Sequence, residues 1–153
     1  KFEYQNLIEK VLKTYPDNKV IWLHLGISGE LTDLSPFEHL ALLETLMIKY
    51  PNLYLDLSWG SVLKPQFIKN TTLYSNFLNV YSGRVITGSD YVAYKNKTDE
   101  HYNYLGELEL SSFINQYLDD NAFRDIALGQ SYLNLVGLSS KYTAPSICNN
   151  KLH

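Results

Sequence analysis

Two hydrophobic periods alternate along this chain. Over residues 3–14, Leu7, Ile8, Val11 and Leu12 recur at helical spacing, and Pro16-Asp17-Asn18 stops the run. Residues 19–25 then alternate as a strand, with Ile21, Leu23 and Leu25 on one face and Val20, Trp22 and His24 on the other. Past a polar loop, Ser35-Pro36-Phe37-Glu38 forms a helix start: a serine N-cap, a proline at the first helical position and a glutamate placed to reach back to the cap. This helix is predicted to run to about Tyr50 and to bury Phe37, Leu40, Leu43, Met47 and Tyr50, before Pro51-Asn52 ends it.

The alternation returns twice. Residues 53–58 send Leu53, Leu55 and Leu57 to one face and Tyr54, Asp56 and Ser58 to the other, while residues 84–89 lead into Asp90 with Ile86, Gly88 and Asp90 aligned. Between them, 59–72 reads as loop and 72–81 as a helix with Leu73, Phe77, Leu78 and Val80 inward. After a polar loop at 91–99, helical patterns cover about 100–118 and 121–137, the second capped by Asp119 or Asp120; residues 139–153 form an irregular tail. The order α-β-α-β-α-β-α-α carries no hairpin signal between strands, so the fold class is α/β, built from parallel βα units. Three strands do not close a sheet. The chain is therefore either a small open layered domain or the last three βα units of a larger barrel.

Each strand ends on a polar residue. His24, Asp56 and Asp90 lie 32 and 34 positions apart, room for one helix and its loops in each interval. Consecutive parallel strands bring such ends to one edge of the sheet, where α/β proteins place their chemistry.

Composition limits the partners. A chain of 153 residues is long enough for its own core, and a net charge of −3 without any Lys/Arg run argues against nucleic acid or an anionic membrane. No apolar stretch approaches the roughly 18 residues of a membrane span. The single cysteine, Cys148, allows no internal disulfide or cysteine cluster, and without a secretory pattern at the start a reducing, cytoplasmic setting is expected. The chain opens inside a helical pattern at Lys1 and its only methionine is Met47, as expected for a piece of something longer. His39, within the second helix, and His101 are expected on the solvated surface.

Three segments resemble a known superfamily. Pro16-Asp17-Asn18-Lys19-Val20-Ile21-Trp22-Leu23-His24-Leu25-Gly26, Lys49-Tyr50-Pro51-Asn52-Leu53-Tyr54-Leu55-Asp56-Leu57-Ser58-Trp59 and Gly83-Arg84-Val85-Ile86-Thr87-Gly88-Ser89-Asp90 are similar to the C-terminal half of the amidohydrolase superfamily. The nearest likeness is its mononuclear, amidohydrolase-related branch, which includes metal-dependent hydrolases and the aminocarboxymuconate semialdehyde decarboxylase group. The stretch from Arg124 to Leu138 resembles that family's closing helix, with Gln130 where the family has asparagine. The resemblance implies that residues 1–138 are the last three strands of a TIM (β/α)8 barrel, incomplete in this chain, followed by the tail at 139–153.

The same resemblance implies a site. Asp90 would touch a divalent metal, zinc first, and the attacking water; His24 would bind metal or orient that water; Asp56, Trp59 and Trp22 would support or line the substrate pocket. A divalent ion lowers the pKa of bound water to near 7, and an adjacent carboxylate can move its proton to the leaving group. Gly88 would keep room for the ion. The implied activity, in the intact protein and not in this fragment alone, is water-driven cleavage of an amide, ester or related bond in a small-molecule substrate. A non-oxidative decarboxylase on the same scaffold, or a non-catalytic half-barrel interaction module, is the alternative. The implied partner is the missing N-terminal half of the barrel or a second copy of the chain.

Overall fold

Three short strands pair in parallel, in chain order: β1 (Val20–Trp22), β2 (Leu53–Asp56) and β3 (Val85–Ile86). The computed structural model describes residues 3–27, 31, 33–90 and 104–146. The loop at 91–99, His101 and Cys148 lie outside the described residues. Helix α1 (Glu3–Thr14) precedes β1, and a 3₁₀ turn (Leu23–Gly26) follows that strand. Helix α2 (Pro36–Lys49) connects β1 to β2, and helices α3 (Gly60–Lys69) and α4 (Thr71–Tyr81) connect β2 to β3. Helices α5 (Tyr104–Asn115) and α6 (Asp120–Ala122), a π-helical turn (Phe123–Ala127) and α7 (Gln130–Leu135) complete the order. The α/β class and the parallel βα order are as the sequence predicts.

Register decides which side chains share a face. Val20 pairs with Leu53, Trp22 with Leu55, and Leu55 with Val85. These residues lie in or against the core, together with Leu43 and Met47 of α2, Leu63 and Phe67 of α3, and Leu78 of α4. Ile21 pairs with Tyr54, and Asp56 with Ile86, on the opposite face. That face lies outside the core cluster, and Ile21 on it is 40% exposed. Among the described residues the helices therefore cover one side of the sheet, as expected when sequential parallel strands are joined by right-handed crossovers. Trp22, expected to support or line the substrate pocket, is corrected by this register: it belongs to the helix-covered face, opposite Tyr54, Asp56 and Ile86. The strand predicted over 19–25 also ends early, at Trp22, because the chain turns left-handed at His24 and Leu25.

The helices depart from expectation where packing outweighs local signals. Residues 60–69 form a helix despite Pro65, because Leu63 and Phe67 on one face are both buried while Pro65 stays exposed. The capping box of α2 is present, with Ser35 and Glu38 bonded reciprocally. Its buried stripe, however, runs through His39, Leu40, Leu43, Leu46 and Met47, which leaves Phe37 72% exposed. On α4, Tyr74, Phe77 and Leu78 face inward and Val80 is 73% exposed. The single helix predicted over 121–137 is broken at Leu128-Gly129, after a start capped by Asp119. Ala144 of the tail donates its N–H to Gln130 Oε1 at 2.9 Å, so the described part of the tail is strapped onto α7.

The N-terminal edge of the sheet is held by side chains that answer helix C-termini. Free carbonyls at a helix end need donors, and cations there also complement the helix dipole. Asn52 donates to carbonyls of Leu12, Tyr15 and Asn18 behind α1. The Arg84 guanidinium donates to Met47 and Tyr50 carbonyls at the end of α2, at 2.8 and 3.0 Å. Lys19 donates to Asn134 and Leu135 carbonyls at the end of α7. Replacing Arg84 by methionine removes charged donors from part-buried carbonyls and is expected to cost about 2 kcal/mol, read as a lower urea midpoint with an unchanged slope. An unchanged midpoint would remove Arg84 from this role.

Candidate active site

The opposite, C-terminal edge gathers the backbone strain. His24, Leu25, Trp59 and Asp90 have φ of 57, 52, 65 and 52°, and these are the non-glycine residues with positive φ among the described residues. Each costs of order 1–3 kcal/mol and persists only where surrounding contacts impose it. All four follow the end of a strand: His24 and Leu25 after β1, Trp59 after β2, Asp90 after β3.

Asp56 supplies one of these contacts, at His24. Its carboxylate is buried at the end of the central strand. Oδ1 accepts from the His24 backbone N–H at 3.2 Å, the Ser58 backbone N–H at 3.0 Å and the Ser58 hydroxyl. Ionised carboxylates only accept, so the Ser58 proton points to Asp56. The Ser58 oxygen must then accept from the His24 ring, whose Nδ1 lies 2.9 Å away. That assigns the proton of neutral His24 to Nδ1 and leaves Nε2 with its lone pair. The ring is 17% exposed and meets the edge of Trp59 with centroids 5.0 Å apart at 63°.

Gly88 is needed here for the close approach of Asp56. A Cβ at this position would lie 2.7 Å from Asp56 Oδ2 and 3.3 Å from Ser58 Cβ. The room at this position is used by the Asp56 carboxylate.

His39 is the second correction. It is buried on α2, with Nε2 2.9 Å from the Leu25 carbonyl and Nδ1 3.0 Å from the Tyr74 hydroxyl. Burial pushes its pKa below the ordinary 6.5, opposed in part by the Leu25 hydrogen bond. Burial likewise raises the Tyr74 phenol to about 12, so that partner stays protonated.

The site residues named from sequence separate accordingly. His24, Asp56 and Trp59 come together, joined by Ser58, which the sequence placed on the correct face but without a role. Trp22 stands behind them, its ring packed over Gly26, where a Cβ would come within 2.8 Å of it. Asp90 is exposed at the end of the segment after β3. Among the described residues no three His, Cys, Asp or Glu side chains gather in a group that could hold a metal ion. His24 and Asp56 are therefore too few among the described donors for a zinc site, which takes three protein ligands and a water.

Comparison with protein-family models, with curated proteins and with solved structures gives no match. Among the described residues no helix is long and apolar enough to cross a membrane.

Two outcomes follow from this geometry. Gly88→Ala, whose methyl meets a buried carboxylate, is expected to destabilise by about 1–3 kcal/mol in chemical denaturation; a neutral result would mean the edge is looser than described. The unfolded chain protonates His39 near its ordinary 6.5 while the folded chain resists. Stability is therefore full above that pH and falls as the pH drops below it. Thermal melts from pH 7.5 to 5.5 should show this slope, and His39→Gln should flatten it. Parallel slopes would contradict the assignment.

Proposed function

We propose that this chain is the C-terminal part of a hydrolase barrel of the amidohydrolase-related type, with His24 as its acid–base group. The observation that carries the reading is the Asp56–Ser58–His24 chain of contacts, from which hydrogen-bond chemistry puts the ring proton on Nδ1 and leaves His24 Nε2 as a base at the C-terminal strand edge. Support for the barrel comes from the sheet, whose helices cover one face while Ile21 and Leu23, 40% and 52% exposed, remain outside the core. In a (β/α)8 barrel the uncovered face is interior and is filled by the remaining strands. The missing barrel half, or a second copy of the chain, would take that place.

The proton step follows from these residues. Nε2 takes a proton from water as it attacks an amide or ester carbonyl, and returns it to the leaving amine or alkoxide. The Asp56 charge, delivered through the Ser58 hydroxyl, stabilises the imidazolium formed in between and keeps the ring from flipping. Trp59 packs against the ring in an edge-to-face contact. Asp90, at the same edge, is the carboxylate that would contact substrate or water.

The test uses the intact barrel, this chain together with its missing half, and p-nitrophenyl acetate and a p-nitroanilide as probes, with and without added zinc. His24→Gln should lower kcat/KM by about 10²–10⁴, and Asp90→Asn should also abolish most turnover. Ser58→Ala should cost about 10–100-fold, the usual effect of losing an orienting partner. Wild-type rates in His24→Gln would sink the assignment of the base; wild-type rates in Asp90→Asn would remove Asp90 from the site. Release of carbon dioxide from a carboxylate substrate, with neither probe cleaved, would move the reading to the decarboxylase.

A further inference from the structure

The turn that presents His24 has two successive non-glycine residues in the left-handed region, and one of them is leucine. Left-handed backbone puts Cβ against the following carbonyl, so neither residue adopts it unaided. Three contacts hold the turn. The His24 N–H is held by Asp56, and the His24 carbonyl accepts from the Ile27 N–H at 2.9 Å. The Leu25 carbonyl is held by His39, a residue of α2 in the helical layer.

Hydrogen-bond chemistry fixes the state of His39. A carbonyl only accepts, so Nε2 carries the proton; Nδ1 then accepts from the Tyr74 hydroxyl on α4. Each buried polar atom of the ring is thereby satisfied, and Tyr74 is the titratable group that faces it. A leucine in this place would leave both the Leu25 carbonyl and the Tyr74 hydroxyl without their buried partner, whereas a glutamine offers one donor and one acceptor at similar reach.

We propose that His39 is a positioning residue: its buried ring, oriented by Tyr74, holds the Leu25 carbonyl and so fixes the left-handed turn that aims His24. The value of this for catalysis rests on the reading of His24 as acid–base group, but the positioning itself is measurable without a substrate. It makes the helical layer part of the site, since α2 and α4 act on His24 through one carbonyl.

Amide hydrogen exchange, followed by NMR at pH 7.5 on the whole chain, is the test. In His39→Leu, the His24 and Ile27 amides should exchange at least about tenfold faster while core amides such as Leu55 keep their rates, the sign of local opening. His39→Gln should restore both amides. Equal acceleration of Leu55, no acceleration at His24 and Ile27, or failure of glutamine to restore them would each overturn the proposal. Should His39→Leu fail to fold, Tyr74→Phe decides: faster exchange at His24 and Ile27 with Leu55 unchanged supports it, and no selective change refutes it. If His24→Gln leaves probe hydrolysis intact while His39→Leu loosens the turn, the functional reading fails and the positioning stands. If hydrolysis depends on His24 but the turn ignores His39, the reverse holds.

Discussion

The buried carboxylate of Asp56 is the interaction on which the C-terminal edge depends. One oxygen accepts from two backbone amides and a hydroxyl, and those donors come from the turn after β1 and from the segment after β2. A buried carboxylate without such donors would be costly, and the left-handed turn at His24 without such an acceptor would relax. Each feature is held by the other. The neighbouring strand contributes by omission, because Gly88 of the β3 segment has no side chain to press on Oδ2.

The two edges of the sheet serve different ends. At the N-terminal edge Asn52, Arg84 and Lys19 satisfy helix carbonyls, and among the described residues no non-glycine residue there has a positive φ. At the C-terminal edge polar side chains point to one another and the backbone leaves its preferred regions. Folding free energy gathered in the leucine-rich helical layer and at the first edge sustains the strain at the second. His39 is where the two meet, with its ring in the layer and its hydrogen bond on the turn.

Much of this architecture was legible in the sequence. The repeated passage from an apolar strand to a polar end gave the parallel order, and Ser35-Pro36-Phe37-Glu38 located a helix start through chemistry confined to four neighbouring residues. What stayed illegible depended on distant contacts. Strand alternation could not reveal that β1 ends at Trp22, because the left-handed turn is imposed by Asp56, far along the chain, and by His39. Alternation grouped Trp22 with His24, and only the break between them puts one behind the sheet and the other at its edge. His39 read as a surface residue because nothing local marks a histidine that will find a carbonyl and a tyrosine in the core. Ser58 carried a weak signal, two residues beyond Asp56 on the same face. The reaction class, the barrel and the metal come from resemblance, and the cluster around Asp56 speaks to the proton step alone.

The central claim is that Asp56, through Ser58, sets His24 as a base. Long-range ¹H–¹⁵N correlation of the histidine rings at pH 7.5 measures it directly, because the two ring nitrogens give distinct shifts when one is protonated and the other is not. The account predicts that His24 carries its proton on Nδ1 with Nε2 bare, and that Ser58→Ala abolishes this preference. A His24 ring protonated on Nε2, or one indifferent to the loss of Ser58, would contradict it.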